Sequence, residues 1–272
     1  MSAGGILAVS GVECSKLAAQ IKVWITLVAC AVGPFVFATA MRVQSSMPTD
    51  TLFGRAAGES GFAAALVVLG FAAFWALPVL ASVVGGDLFA AEDRYGTWTT
   101  VLTRSRSRAE LFAGKALTAL GFSTFAVVLL AASSVASGVL IVGSAPIVDL
   151  TGRLLPPAQA VIGVSLAWAS VVLPSLGFTA LAIALSVGTR STAAGIGLPV
   201  LAALAMQGYS LVDGPELFRR LLITSAFGAW HGLFAEPRYY GPLLHGTLVS
   251  GAYVIVCLAL AYWMLLRRDI GR

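Results

Sequence analysis

The sequence predicts an all-α polytopic membrane protein with six transmembrane helices. Hydrophobic residues make up 58% of the 272 residues and charged residues only 11%, whereas soluble domains average about 45–50% and 25%. The mean hydropathy is +0.92, and apolar runs of membrane-spanning length recur along the chain. Six spans with short loops leave no room in this length for a soluble domain of ordinary size.

Six charge-poor runs define the predicted spans within a single transmembrane domain over residues 1–272. Because a helix rises about 1.5 Å per residue, about 20 apolar residues cross the hydrocarbon core. The predicted spans are 23–41, 61–86, 116–143, 160–187, 192–212 and 246–266. We expect Pro78 and Pro174 to interrupt the second and fourth spans, since proline lacks the N–H that an α-helix uses.

Two helical elements are predicted outside the spans. Residues 4–20 are too polar to cross, and apolar residues mixed with Glu13 and Lys16 favour an amphipathic helix at the membrane surface. Residues 213–245 hold an amphipathic stretch and an apolar run too short to cross, which favours a short helical hairpin before the last span. Three aromatic residues of this stretch fit the aromatic belt of a membrane interface: Trp230, Tyr239 and Tyr240.

The distribution of Lys and Arg predicts the topology. Six spans place both termini on one side, and most of the 17 basic residues lie on that side, which the positive-inside rule makes cytoplasmic. The segment 87–115 is then cytoplasmic and 213–245 faces outward. The net charge of +5 is therefore attributed to loops that face anionic lipid, and no nucleic-acid partner is predicted.

Motifs for catalysis and for nucleotide binding are missing from the sequence. It contains no GxSxG, HExxH or GxxxxGK[ST] pattern, so we predict neither an enzymatic activity nor ATP binding by this chain. The three cysteines and two histidines show no metal-ligand spacing, and no metal is predicted. No ionisable side chain lies in the middle of a predicted span, which argues against a proton-coupled carrier, although carbonyls at broken helices can bind ions.

The stretch between the second and third spans, residues 87–115, is called the polar segment below. We expect residues 87–93 to continue the second span as a helix. Tyr95 and Gly96 should end this helix, because glycine readily adopts the left-handed conformation of a helix C-terminus.

The second half of the polar segment predicts a short cross-helix and the start of the third span. In residues 97–102, Trp98 and Leu102 fall on a narrow apolar face. Ser107 and Glu110 have the spacing of a capping box directly before an apolar run. A short helix across the membrane face can receive a push from a soluble partner; the alternative is an ordinary loop whose charges anchor the flanking helices.

The sequence of the polar segment resembles that of a known family. The run Glu92-Asp-Arg-Tyr-Gly-Thr97, followed by Leu102, Arg108 and Gly114-Lys115, is similar to the loop between spans two and three of ABC-2 type transporter permeases. That pattern comprises an acidic residue, a Gly-Thr step, an apolar stretch, a basic residue and Gly-Lys. The six-span layout is also similar. Many members have a proline after the apolar stretch, where this chain has Thr103-Arg-Ser105.

The resemblance implies the permease subunit of an ATP-driven exporter in a bacterial cytoplasmic membrane. Two permease chains, identical or related, would pair with two separate ATP-binding cassette subunits. Those subunits would bind ATP and Mg²⁺, and this chain would bind no cofactor. The polar segment would then carry the coupling helix that contacts the ATPase. The residues predicted for this interface are Glu92, Asp93, Arg94, Tyr95, Gly96, Thr97, Trp98, Leu102, Arg104 and Lys115.

Two other classes of function stay open at this point. An ion-coupled secondary transporter or channel would work without an ATPase, and a membrane assembly protein would have no transport path. The sequence does not identify the substrate.

Overall fold

The protein is described by a computed structural model that covers residues 2–43, 53–98, 107–210, 212 and 214–267. Most of these residues are helical, and six helices are long and apolar enough to cross a membrane. They are span 1 (Ile21–Val43), span 2 (Gly61–Gly85), span 3 (Arg108–Val142), span 4 (Pro157–Thr189), span 5 (Thr192–Ser210) and span 6 (Gly241–Leu266). The predicted all-α fold with six spans is confirmed.

Spans 3 and 6 begin earlier than the apolar runs of the sequence. Span 3 starts at Arg108, where the Ser107 hydroxyl accepts a hydrogen bond from the Glu110 backbone N–H at 3.2 Å. Span 6 starts at Gly241 with Pro242 in its first turn. A helix begins where its first N–H groups are capped by a side chain or where a proline has no N–H to satisfy. Hydropathy, in contrast, indicates only the part of the helix that lies in lipid. The first turns of span 3 therefore belong to the polar segment.

The N-terminal helix runs from Ala3 to Ala18 and packs along the first turns of span 3. Its buried residues lie four apart and are Gly5, Val9, Glu13 and Leu17. Gly114 permits this close approach, since a Cβ there would lie 2.5 Å from Val9 Cγ1. In a typical surface helix all charged side chains face water. Here Glu13 faces the protein, because it is paired there with Lys115. A location at the membrane surface stays a prediction.

Span 2 changes its helical pattern shortly before Pro78, as predicted. Residues Ala72–Ala76 form a π-helical turn, and Pro78 lies in the first turn of the α-helix that follows. Pro78 offers no N–H to the Phe74 carbonyl in the α-helical pattern. Gln207 of span 5 replaces this donor, because its Nε2 donates to Phe74 O at 2.7 Å. The interruption of span 2 is therefore tied to span 5.

A similar arrangement joins spans 1 and 3. Pro34 lies inside span 1 and has no N–H for the Cys30 carbonyl. Ser133 Oγ of span 3 donates to that carbonyl at 2.6 Å. In span 4 the α-helix is instead interrupted at Val171, three residues before Pro174.

Pairs of glycines hold span 2 against its neighbours at both ends. At the Gly61 end, Gly61 and Gly138 of span 3 approach so closely that a Cβ on either would overlap the other backbone. Gly86 and Gly195 of span 5 do the same at the other end. Span 4 lies in the middle of the bundle and contacts spans 2, 3, 5 and 6, while spans 1, 5 and 6 leave most of their surface exposed.

The stretch 144–159 contains a small antiparallel hairpin of strands Ile147–Val148 and Leu154–Leu155. The Asp149 carboxylate closes its turn by accepting from the N–H groups of Thr151 at 2.8 Å and Arg153 at 2.9 Å. A side chain that hydrogen-bonds to the backbone of its own loop stabilises a turn. A hydropathy profile does not reveal such hydrogen bonds.

Short helices precede span 6, which agrees with the helical hairpin predicted there. They are the α-helices Glu216–Leu221 and Ile223–Ala226 and the 3-10 helix Ala229–Phe234; a further 3-10 turn, Arg55–Gly58, precedes span 2. Trp230 is only 2% exposed and stacks on Phe53 with ring centroids 6.0 Å apart. The prediction that Trp230 belongs to an interfacial belt is therefore wrong, because Trp230 is buried in the core, where it packs against Phe53. Tyr239 and Tyr240 are exposed.

Candidate functional site

Span 2 ends at Gly85, and after a turn over residues 86–89 the polar segment forms a separate short helix, Ala90–Arg94. The predicted continuation of span 2 over residues 87–93 is therefore interrupted, whereas the predicted end of the helix at Gly96 is confirmed. The helix Ala90–Arg94 is closed by two backbone hydrogen bonds, from Gly96 N–H to Asp93 O at 3.3 Å and from Thr97 N–H to Glu92 O at 3.0 Å. Gly96 has φ +63°, the left-handed conformation that a Schellman cap requires. The cap returns Thr97 to the helix, where its hydroxyl donates to Glu92 Oε2.

Four charged side chains meet where the N-terminal helix, the polar segment and span 3 come together, and we call Glu13, Lys16, Glu92 and Lys115 the ionic cluster. Three of them are buried, and the Lys16 side chain is 45% exposed. Lys115 Nζ of span 3 lies 2.8 Å from Glu92 Oε1 and 3.0 Å from Glu13 Oε1. Lys16 Nζ lies 3.0 Å from Glu92 and 2.9 Å from Glu13. Lys115 also donates to the Leu88 carbonyl at 3.2 Å. Two carboxylates and two ammonium groups thus join the N-terminal helix, the polar segment and span 3.

Because Glu92 and Lys115 of the ionic cluster are buried, the loss of one charge there is costly. Lys115 is 1% exposed and Glu92 5% exposed, so a charge left without its partner there is costly. Burial alone raises the pKa of Glu92, but the Lys115 ammonium, with hydrogen bonds from Lys115, Thr97 and Lys16, lowers it to about 2. Burial alone lowers the pKa of Lys16, and its hydrogen bonds to Glu13 and Glu92 outweigh this and raise it. All these attractions favour the charged forms.

A second buried acid lies one helical turn closer to span 2. Asp87 is 4% exposed and is paired with Lys22 at the start of span 1. Thr192 Oγ1, at the start of span 5, donates to Asp87 Oδ1 at 2.9 Å, and Arg94 Nη2 lies 3.8 Å from the same oxygen. The polar segment is therefore bound to spans 1, 3 and 5 as well as to the N-terminal helix.

One part of the polar segment faces outward, and we call Arg94, Tyr95 and Gly96 the exposed turn. Tyr95 is 69% exposed. The Arg94 guanidinium lies over the Tyr95 ring, 4.7 Å from its centroid, and donates to the Tyr95 hydroxyl at 3.1 Å. The turn offers an exposed cation and an exposed aromatic ring next to the ionic cluster, which is a surface suited to contact with another protein.

The other predicted interface residues fall into three groups. Glu92, Thr97 and Lys115 bind one another inside the chain, so their side chains reach a partner only through the residues that cover them. Trp98 is 7% exposed and packs among apolar side chains, while Asp93 is half-buried. Leu102, Arg104 and most of the predicted cross-helix 97–102 lie outside the described residues.

Sequence reasoning did not find every member of the site. It did not assign Glu13, Lys16, Lys22 or Thr192 to the polar segment, because their partners are far away along the chain. One signal was present: Glu13 lies four residues from both Val9 and Leu17, on one helix face with them. A carboxylate on an apolar face predicts a buried cation opposite it.

Comparison with known families decides how this arrangement is interpreted. The sequence model of the family described as ABC-2 family transporter protein matches residues 11–205, which is more than half of the chain. This chain belongs to the ABC-2 transporter family. The match includes spans 1 to 4, the polar segment and most of span 5. No curated protein matches the sequence. The chain is thus a multi-pass membrane protein and the permease component of an ABC transporter.

Membership of the family agrees with the chemistry of the described residues. Members form the transmembrane subunit, which does not itself catalyse ATP hydrolysis, and an ATP-binding subunit is implied as the partner. In the described part of this permease, the ionic cluster lies directly next to the exposed turn.

Proposed function

We propose that this ABC-2 permease is an exporter subunit whose exposed turn receives a separate ATPase. Two permease chains and two ATP-binding cassette subunits form the transporter, with ATP and Mg²⁺ held by the ATPase subunits. The direction of transport and the dimer follow from the resemblance to other ABC-2 permeases. The ionic cluster is the single observation that carries the coupling role.

The ionic cluster supports this proposal because it connects the exposed turn to two other elements, the N-terminal helix and span 3. Glu92 lies two residues before Arg94, and the Gly96 cap fixes the turn against the same short helix. A force on Tyr95 therefore acts on Glu92, which Lys115 and Lys16 hold. Removing one partner of a buried ion pair typically costs about 3–5 kcal/mol, so the connection resists separation when the turn is pushed.

The contacts of Asp87 extend the same argument toward the transport path. Asp87 joins span 2 to Lys22 of span 1 and to Thr192 of span 5. Gly86 and Gly195 bring the backbones of spans 2 and 5 together beside it. Movement of the polar segment is thereby passed to the cytoplasmic ends of several spans at once, as alternating access requires.

Gly96→Ala tests the coupling role, with Gly152→Ala as matched control. Both glycines have positive φ, +63° and +83°, and a Cβ on either meets nothing within 4 Å. Each alanine imposes similar backbone strain, but only Gly96 lies in the polar segment. In the reconstituted complex we expect Gly96→Ala to lower the ATPase activity at least several-fold, with Gly152→Ala close to wild type.

The outcomes separate the proposal from its rivals. Equal activity of Gly96→Ala and the unmodified complex, with assembly intact, contradicts a coupling role for the exposed turn. Transport driven by an ion gradient in vesicles without any ATPase favours the secondary transporter or channel.

A further inference from the structure

A cavity of about 650 Å³ lies between span 2, span 5 and the short helices before span 6. Sites for small organic molecules typically measure about 300–1,000 Å³. It follows residues 66–75 of span 2, about 14 Å of helix, toward the Gly61 end. It is therefore separate from the ionic cluster, which lies beyond the other end of this span.

The walls of the cavity suit an apolar molecule. Aromatic rings line it from span 2 and from the short helices; they include Phe71, Phe74, Trp75, Phe227 and Trp230. Gly70 lies among them, and a Cβ on it would meet nothing within 4 Å. The empty space beside Gly70 is thus part of the cavity, and a larger residue there would occupy it without disturbing the backbone.

One guanidinium at the cavity lacks a full set of acceptors. Arg219 Nη2 donates to the Val212 carbonyl at 2.9 Å, but its buried Nε has no acceptor among the described residues. Its neighbour Arg220 is paired with Glu216. Glu216, three residues earlier, is exposed and attracts both Arg219 and Arg220, but no Asp or Glu of the described chain lines the cavity itself. At the cavity, the buried Nε of Arg219 is therefore a cationic donor without an acceptor, which an anionic group of a ligand would supply.

We propose that the cavity binds an acidic amphiphile, a molecule with an apolar body and one anionic group. The apolar body lies along Phe71, Phe74 and Gly70, and the anionic group accepts from Arg219. A guanidinium matches carboxylate and phosphate oxygens with paired donors. The assignment of this ligand as cargo rests on the exporter function proposed above, whereas the binding site itself does not.

Cationic and neutral ligands fit the same cavity less well. Aromatic walls attract cations, but Arg219 repels them and no carboxylate in the described part of the cavity offsets this. A neutral alcohol would fill the apolar part and leave the guanidinium without a charged acceptor. Since charge-assisted hydrogen bonds are about twice as strong as neutral ones, we expect an acid to bind at least about tenfold more tightly than the matching alcohol.

Binding to the permease alone, in phosphatidylcholine nanodiscs at pH 8, tests the site. The probes are 12-bromododecanoate and 12-bromododecanol, whose bromine quenches tryptophan on contact. Trp75 and Trp230 line the cavity; a Trp24→Phe/Trp75→Phe/Trp263→Phe background removes the three exposed indoles of the described chain and leaves the buried Trp230 to report on the cavity. We expect saturable quenching by the acid at lower concentration than by the alcohol.

Matched variants assign the quenching to the cavity and to the charge. Gly70→Phe should abolish the saturable signal of both probes, while Gly33→Phe, another helical glycine with open space around it, should not. Arg219→Gln should weaken the acid about tenfold without affecting the alcohol, Arg219→Lys should restore part of the preference, and Arg220→Gln should change nothing. Equal affinity for acid and alcohol, or saturable quenching that survives Gly70→Phe, overturns the proposal.

A second measurement distinguishes cargo from a resident acidic lipid. In the complex with its ATPase, cargo should raise the ATPase rate, and Gly70→Phe and Arg219→Gln should lose this increase. If the acid binds but does not change the ATPase rate, the assignment of this ligand as cargo is overturned. The site is then one for an acidic lipid. Failure of binding in the permease alone overturns the site whatever the ATPase does.

Discussion

Glu92 illustrates how a single residue can be both conspicuous in the sequence and hidden in the structure. The pattern of the polar segment indicated contact with a partner, yet the carboxylate is directed inward to Lys115 and Lys16. Its position between the exposed turn and span 3 explains both observations: the backbone near Glu92 is accessible and the charge is not. Glu92 thus joins the polar segment to span 3 and to the N-terminal helix.

Glu92→Gln should destabilise the permease by about 3 kcal/mol, the lower end of the cost of breaking a buried pair, because Glu13 still faces Lys115. The measurement is the thermal unfolding midpoint in detergent. Glu236→Gln is the control, since its partner Arg153 is exposed and such pairs contribute little. An unchanged midpoint for Glu92→Gln contradicts the interpretation of the ionic cluster. Lys115→Met added to Glu92→Gln should recover part of the loss, since it removes the excess buried cation and leaves Glu13 paired with Lys16.

The pKa of Glu92 predicts a particular acid sensitivity. Its folded-state pKa is about 2 and its ordinary value is 4.5, so the folded state binds this proton less readily than the unfolded state does. The stabilisation is complete above about pH 4.5 and is lost as the pH falls toward about 2. The difference in unfolding midpoint between wild type and Glu92→Gln should therefore shrink over this interval. A difference that is constant from pH 5 to pH 2 would show that Glu92 does not titrate in this way.

At the scale of elements, spans are joined where a proline has removed a helical donor. Gln207 reaches Phe74 O opposite Pro78, and Ser133 reaches Cys30 O opposite Pro34. The interruption that weakens one span thus becomes a polar contact with another. Such contacts fix the relative position of two spans in an apolar surrounding, where no water can satisfy the carbonyl.

Gln207→Leu should cost about 1–3 kcal/mol, because it leaves the Phe74 carbonyl without this donor. Pro78→Ala supplies a backbone N–H, so the double variant should regain most of the stability. Ser210→Ala, one turn further along span 5, is the control. The three unfolding midpoints decide the matter, and a double variant that is no more stable than Gln207→Leu contradicts the pairing of Pro78 with Gln207.

At the scale of the whole molecule, hydropathy was sufficient to predict the bundle, because each span is an apolar run bounded by charge or glycine. Local chemistry also predicted the Gly96 cap and the Ser107 cap, since both involve residues close together in the chain. The ionic cluster could not be predicted in the same way. Glu13 and Lys115 are brought together by helix packing around Gly114, and nothing local specifies that contact.

The most direct test of the whole account is site-specific photo-crosslinking to the ATPase subunit. Benzoylphenylalanine is placed at Tyr95 of the exposed turn and, as control, at Tyr239, which is similarly exposed at the start of span 6. We expect a crosslink to the ATPase from position 95 and none from position 239. A crosslink from position 239, or an assembled and active complex without one from position 95, would contradict this expectation.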